Sequence, residues 1–130
     1  AQYDEQAQII PIACSGLMEY VEQGILRGPE VEGYLLDKLE PYLKVPIDAV
    51  VLGCTHYPFL RGAIRRIVGR RPEIIDGSFG IAKHLHRRLE EQQLLNPGPD
   101  AGSVSFQNSL DEPEMLELMQ ALFSYEDETP

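Results

Sequence analysis

Cys54 and His56 are the residues of this sequence whose types and spacing are best suited to chemistry. They belong to the hexapeptide Gly-Cys-Thr-His-Tyr-Pro at residues 53–58, which follows the apolar run at residues 49–52. One residue separates the two, so in an extended conformation both side chains leave the chain on the same face. A thiol beside an imidazole at a strand-to-helix junction is favoured to ionise, and the thiolate is the reactive form of cysteine.

Three interpretations of Cys54 remain open on residue chemistry alone. A free cysteine after a buried strand is often a small core residue. A cysteine hydrolase would also use a Cys–His pair, but it needs a third group to orient the histidine and an oxyanion hole. A zinc site would have to recruit Cys14 and the other histidines, and it is disfavoured because His84 and His86 lie two apart on a predicted helix and diverge.

Length and charge narrow the class of protein. A chain of 130 residues predicts one domain with a sizeable core. The 11 basic and 21 acidic residues give a net charge of −10, which argues against a nucleic-acid partner and against an anionic membrane surface. Two cysteines are too few for a disulfide framework, and no membrane-spanning run or signal-peptide pattern is present. These features predict a cytoplasmic location.

The apolar pattern predicts strands that alternate with helices. Strands are expected at residues 8–13, with Pro11 marking a kink or an edge, at 49–52 as an apolar and central strand, and at 73–75. A half-buried or edge strand is expected around Val104 and Phe106. Three helices are expected in the first half of the chain. The first runs from a Ser15 cap to about Leu26, the second follows the break at Gly28-Pro29, and the third covers residues 58–68.

Two further helices are predicted in the second half of the chain. One begins at Gly77-Ser78, and the other follows an Asp111 cap and has Pro113 in its first turn. Their apolar positions are Ile81, Leu85 and Leu89 on the first, and Met115, Leu118, Met119 and Leu122 facing inward on the second. A loop is predicted at 96–102 and a disordered acidic tail at 124–130. The fold class predicted is α/β, a mostly parallel sheet flanked by helices.

The hexapeptide after an aliphatic strand resembles the signature of the glutamate racemases, in the Asp/Glu racemase superfamily. The flanks resemble that family in the same order, at Ala13-Cys14 with residues 17–22, at residues 74–78 with Ile81-Ala82, and from Val104 to Phe123. The resemblance covers nearly the whole chain. It departs at Ser15, where the family usually has proline, and at residues 76–79, which read Asp-Gly-Ser-Phe. The elements of the family's first half are missing.

The resemblance implies one half of a two-domain, pseudo-symmetric enzyme with its active site between the domains. Each domain of such an enzyme contributes one cysteine, on opposite sides of the substrate α-carbon, and neither pyridoxal phosphate nor a metal is used. Residues 1–130 would be the C-terminal half, with an internal boundary near 76–80 and residues 77–130 packed on the N-terminal domain. The activity implied is cofactor-independent racemisation of L- and D-glutamate, supplying D-glutamate for peptidoglycan synthesis.

Site roles follow from the resemblance, residue by residue. Cys54 resembles the base that takes the α-proton of the L-enantiomer, and His56 resembles its proton partner. Thr55 would bind the amino-acid head group together with Cys54 and His56. Glu22 resembles an acidic residue that orients His56, although a solvated helix glutamate is the alternative. Cys14 matches a family position without a catalytic role and is interpreted as a core residue.

Two alternative functions accompany this interpretation. An aspartate or hydantoin racemase is one, but such relatives often carry an acid at the position of His56, so His56 favours glutamate. A non-catalytic folded fragment is the other, because half of the site would be absent and the chain inactive alone. Strand edges without a partner predict a homo-oligomer, such as a dimer formed by domain swapping.

Overall fold

Helices and short strands alternate along the chain, as a parallel sheet requires. The computed structural model describes residues 7–98, 102–110 and 112–126. Its elements in chain order are α1 (Leu17–Glu22), α2 (Pro29–Leu39), β1 (Ala49–Val51), α3 (Arg61–Val68), β2 (Glu73–Ile75), α4 (Ser78–Glu91) and α5 (Pro113–Phe123). Short 3₁₀ helices at Glu40–Tyr42 and Tyr57–Leu60 follow α2 and precede α3.

β1 and β2 pair in parallel, with α3 as the crossover between them. Val50 lies opposite Ile74 in the register, and the Leu52 amide extends the ladder by donating to the Ile75 carbonyl over 2.8 Å. Helices flank this sheet, so the predicted α/β class with a parallel sheet is confirmed. Because β1 ends at Val51, the hexapeptide begins at the carboxyl edge of the sheet, where parallel α/β folds place their ligands.

The core lies between the sheet and the first three helices. Leu60 and Val31 are fully buried, the first in the 3₁₀ helix that precedes α3 and the second in α2. The remaining members of the buried cluster come from α1, α2, α3, β2 and the residue that follows β1: Leu17, Val21, Leu35, Leu52, Ala63, Ile64 and Ile74. The apolar periodicity of these helices therefore faces one common interior.

Two predicted strands are wrong. Residues 8–13 form no strand, because Pro11 has no amide hydrogen to donate and the segment has no pairing neighbour in the described part of the chain. Residues 104–106 are also irregular: Val104 is 61% exposed, and the Phe106 ring packs edge-on against Phe123 at 5.5 Å between centroids. The prediction that β1 is central also fails for the described chain, since β1 pairs with β2 alone and Val51 is 71% exposed.

Glycine and proline set the ends of α1 and α2. Ser15 is not the cap of α1, because Gly16 at φ 89° precedes the helix and makes no side-chain cap. The helix stops at Glu22 rather than near Leu26, since Gly24 adopts φ 73° and turns the chain back. Pro41 similarly ends α2 in a 3₁₀ turn, because it lacks the amide that the next α-helical bond requires.

The second half of the chain packs less tightly than the first. On α4, the predicted apolar face is open to solvent, with Ile81 70% and Leu85 57% exposed. On α5, the residues predicted to face inward are half-buried, and Leu122 packs against the core. Beyond α5, the Tyr125 ring lies 6.5 Å from that of Phe59. The predicted Asp111 cap lies outside the described residues, and none of the described helices is long and apolar enough to cross a membrane.

Arg61 and Asp76 fasten α3 to the end of β2 and the start of α4. The Arg61 guanidinium donates to the Ile74 carbonyl over 2.8 Å and pairs with the Asp76 carboxylate. Asp76 in turn accepts the Ser78 amide over 2.8 Å at the first residue of α4. The Ser78 amide and hydroxyl, and then Arg61, lower the pKa of the Asp76 carboxyl below its ordinary value of 3.8.

Asp76 is expected to make folding stability fall in acid. Because its pKa is lowered in the folded state, its contribution is present above the ordinary pKa and is lost as pH falls through the folded value. We expect Asp76→Asn to flatten the decline of the unfolding free energy between about pH 5 and pH 2, measured by urea titration. Asp48→Asn is the control, since that side chain is 94% exposed; an equal flattening in both variants would contradict the assignment.

Neighbouring leucines on α2 test the location of the core. Leu35 is 2% exposed and Leu36 is 48% exposed. Leu35→Ala leaves a cavity, so we expect a loss of about 2–5 kcal/mol in the free energy of unfolding. Leu36→Ala should change it by about 0.5 kcal/mol or less, as for other surface substitutions. Chemical denaturation measures both free energies of unfolding. Similar losses in the two variants would show that α2 does not turn Leu35 towards the core and Leu36 towards solvent.

Candidate active site

Cys54 and His56 meet across a tight turn. The Tyr57 amide donates to the Cys54 carbonyl over 3.2 Å, so the segment is bent rather than extended as the spacing suggested. The Cys54 Sγ nevertheless lies 3.7 Å from the His56 Nδ1, within reach of a hydrogen bond to sulfur. A turn thus achieves the juxtaposition that was predicted from an extended strand.

Glu22 reaches the same histidine from α1. Its Oε1 lies 3.6 Å from the His56 Nε2, and the side chains of His56 and Glu22 are 30% and 49% exposed. Leu17 and Val21, which are 1% and 0% exposed, anchor α1 on the core and fix its rotation. Glu22 follows directly after Val21, so the packing of the helix brings the carboxylate to His56.

The three groups form a row from thiol to imidazole to carboxylate. An imidazole has two nitrogens, and in its neutral form one donates a hydrogen bond while the other accepts. With the proton on Nε2, His56 donates towards Glu22 and presents the free Nδ1 electron pair to the Cys54 thiol. This arrangement can receive the thiol proton and leave a thiolate, as in nucleophile–base pairs oriented by a carboxylate.

Thr55 and Cys14 occupy different surroundings. Thr55 is exposed on the turn between Cys54 and His56, where its side chain faces solvent. Cys14 is half-buried and packs against the core, and its Sγ lies 3.9 Å from the Ile12 carbonyl. Burial raises the pKa of the Cys14 thiol. The interpretation of Cys14 as a core residue holds in part, since Cys14 contacts the core cluster without being fully buried.

Tyr57 has a contact that the sequence analysis did not foresee. Its hydroxyl donates to the Cys14 carbonyl over 3.3 Å, joining the hexapeptide to the segment that begins α1. Burial raises the pKa of the Tyr57 hydroxyl. The residue's place within the hexapeptide was the available signal, but a contact between residues 43 positions apart cannot be read from spacing.

The zinc alternative gains no support from the geometry. Within the described ranges, no three His, Cys, Asp or Glu side chains come together as a metal site. His84 lies on the exposed α4, where its Nδ1 is 2.8 Å from an Arg87 guanidinium nitrogen.

Curated relatives align with most of the length of this chain. Glutamate racemase from Clostridium perfringens is 43% identical over 121 residues, which is 93% of this chain and 46% of the relative. The glutamate racemases of Clostridium botulinum and Clostridium novyi are 41% and 43% identical, over 93% and 89% of this chain and 47% and 45% of their own lengths. No family model matches the sequence. The chain spans about half the length of the curated relatives it matches.

Solved structures give the same correspondence. Glutamate racemase from Thermus thermophilus in complex with beta-chloro-D-alanine aligns with a TM-score of 0.65 at 31% identity, covering 83% of this chain and 42% of that protein. A glutamate racemase isoform from Bacillus anthracis aligns with a TM-score of 0.64 at 26% identity, covering 86% of this chain and 41% of that protein. Glutamate racemase from Francisella tularensis in complex with D-glutamate aligns with a TM-score of 0.57 at 32% identity, covering 67% of this chain and 32% of that protein. By sequence and fold, this chain is therefore a homologue of the glutamate racemases that corresponds to about half of their length.

Proposed function

We propose that this chain is the C-terminal half of an enzyme that interconverts L- and D-glutamate, and that it supplies one of two thiol bases. The observation that carries the proposal is the Cys54–His56–Glu22 row at the carboxyl edge of the sheet, in a chain homologous to glutamate racemases. The Francisella tularensis relative in complex with D-glutamate supports glutamate as the small-molecule substrate.

Inversion of a stereocentre explains why a single thiol is half of the mechanism. In the proposed reaction, the Cys54 thiolate takes the α-proton of L-glutamate, so the C–H bond breaks, an S–H bond forms and the electron pair stays on the substrate. A base on the opposite face then returns a proton to the α-carbon and produces D-glutamate. That second base, a cysteine in the resemblance, would come from the half of the enzyme outside this chain.

Cys54 needs a nearby acceptor to become a base. His56 Nδ1 at 3.7 Å can accept the thiol proton, and Glu22 at 3.6 Å from Nε2 orients the ring and stabilises its positive charge. Thr55 is exposed on the same turn, and we propose that it binds the amino-acid head group. We propose that these residues act without pyridoxal phosphate or a metal, as the resemblance implies, with exclusion of water by the other domain strengthening each interaction.

The openness of the site supports a two-domain arrangement. His56 and Glu22 are 30% and 49% exposed, so the row is accessible on this chain. We propose that the second domain covers it, that an internal boundary lies near residues 76–80, and that residues 77–130 pack on that domain. The exposed face of α4, with Phe79 79% and Ile81 70% exposed, fits such a contact.

The cellular setting extends the same proposal. A racemase of this kind would act in the cytoplasm and supply D-glutamate for peptidoglycan and thus for cell-wall shape. We also propose a homo-oligomer, a dimer that forms by swapping when the second domain is absent, because Val51 of β1 and the α4 face leave apolar surface uncovered.

Removal of the Cys54 thiol tests the proposed reaction. In a protein that joins this chain to the other half of a relative, we expect Cys54→Ala to lower glutamate racemisation by about 10²-fold or more, since a positioned base is lost. Cys14→Ala is the matched control and should racemise normally. Racemisation of L-aspartate, assayed beside that of L-glutamate, distinguishes an aspartate racemase from a glutamate racemase. Unchanged glutamate racemisation in Cys54→Ala would overturn the proposal.

The chain alone is expected to catalyse little exchange of the α-proton of L-glutamate with solvent. Without the second domain the site stays wet and lacks its other base, so we expect negligible deuterium incorporation into L-glutamate in D₂O, followed by mass spectrometry. Rapid incorporation by the 130 residues would contradict the two-domain assignment.

Thiol reactivity distinguishes the two cysteines directly. Cys54 has the His56 nitrogen at 3.7 Å, whereas burial raises the pKa of Cys14 and keeps it protonated. We expect iodoacetamide at neutral pH to alkylate Cys54 several times faster, as read by peptide mass spectrometry. His56→Phe should slow Cys54 and leave Cys14 unchanged. Faster alkylation of Cys14, or no effect of His56→Phe, would argue against the thiol–imidazole pair.

A further inference from the structure

We propose that Tyr57 is a positioning residue whose hydroxyl sets the distance between Glu22 and His56. The inference rests on the proposed racemase function and adds a residue to it. The hydrogen bonds of Tyr57 go to the Cys14 and Cys54 carbonyls and not to the Cys54 thiol or the Glu22 carboxylate. It acts through the backbone segments that carry them.

The hydroxyl of Tyr57 is bound at the first turn of α1. It donates to the Cys14 carbonyl over 3.3 Å, and the same carbonyl accepts the Leu17 amide over 3.1 Å. Leu17 is the first residue of α1, so this carbonyl is the point from which the helix starts. Tyr57 therefore holds the beginning of the helix that ends in Glu22.

The backbone of Tyr57 is bound on the other side of the site. Its amide donates to the Cys54 carbonyl over 3.2 Å and closes the turn that presents His56. One residue thus bonds both to the turn with the thiol and imidazole and to the segment that leads to the carboxylate. The two bonds define the separation of these segments.

Helix α1 transmits a displacement of its start to its end. It has six residues, which span about 9 Å, and its buried Leu17 and Val21 keep it in one rotation. The Tyr34 hydroxyl adds a second anchor at the same end, donating to the Ser15 carbonyl over 2.7 Å. A shift of the Cys14 segment would therefore move Glu22 relative to His56.

The Glu22–His56 contact is too weak to hold itself. Both side chains are partly exposed, and ion pairs in such positions gain little because water screens them and side-chain entropy opposes them. The scaffold must therefore set the 3.6 Å separation. The Tyr57 hydroxyl provides a polar contact between the hexapeptide and the segment that precedes α1.

Tyr57→Phe tests this role, since it keeps the ring and removes the hydroxyl. In the 130-residue chain we expect loss of the nuclear Overhauser effect between the His56 ring protons and the Glu22 γ-protons. Tyr42→Phe is the matched control, a half-buried tyrosine in the 3₁₀ helix after α2, and should leave that signal intact. Retention of the signal in Tyr57→Phe would overturn the inference.

A kinetic cycle separates positioning from simple structural support. In the joined two-domain protein, we expect Tyr57→Phe to lower kcat about tenfold with KM nearly unchanged, since a displaced catalytic group affects the chemical step. In a protein that already carries Glu22→Gln, Tyr57→Phe should not lower kcat further, because its effect on kcat passes through Glu22. An equal tenfold loss in that background would contradict the inference. If the unsubstituted protein does not racemise glutamate, the proposed function fails, and the nuclear Overhauser measurement still decides the role of Tyr57.

Discussion

The imidazole of His56 imposes the constraint on which the site depends. It must face a thiol with one nitrogen and a carboxylate with the other, 3.7 and 3.6 Å away. A neutral ring accepts a hydrogen bond at one nitrogen when the other holds the proton, so in the proposed reaction the position of Glu22 determines whether His56 can accept the Cys54 proton. Two separate segments of the chain have to be held in register for this to work.

The fold meets this constraint with few elements. The parallel pairing of β1 and β2 ends where the hexapeptide begins, and the turn after it brings Cys54 to His56. α1 approaches from the other side, anchored by Leu17 and Val21. The apolar core therefore does more than stabilise the domain, because its packing fixes the rotation of the helix that carries the partly exposed Glu22 carboxylate.

The sequence predicted the local chemistry better than the tertiary contacts. The hexapeptide, its strand and the following helix were recognisable, because short-range periodicity and proline position are local signals. The predictions of strands at 8–13 and 104–106 were wrong, since apolar residues alone do not show whether a pairing partner exists. The start of α1 at Gly16 and the Tyr57 bond to Cys14 depend on a left-handed glycine and on a long-range contact, which spacing does not record.

The tautomer of His56 decides whether the nitrogen that faces Cys54 can accept the thiol proton. Nitrogen-15 NMR of the imidazole in the neutral state would report it directly, in the unsubstituted chain and in Glu22→Gln. The geometry predicts the proton on Nε2, directed at Glu22, with Nδ1 free to face the Cys54 thiol, and a weaker preference once Glu22 is replaced. A proton on Nδ1 in the unsubstituted chain would contradict the account, because the ring would then have no acceptor for the thiol.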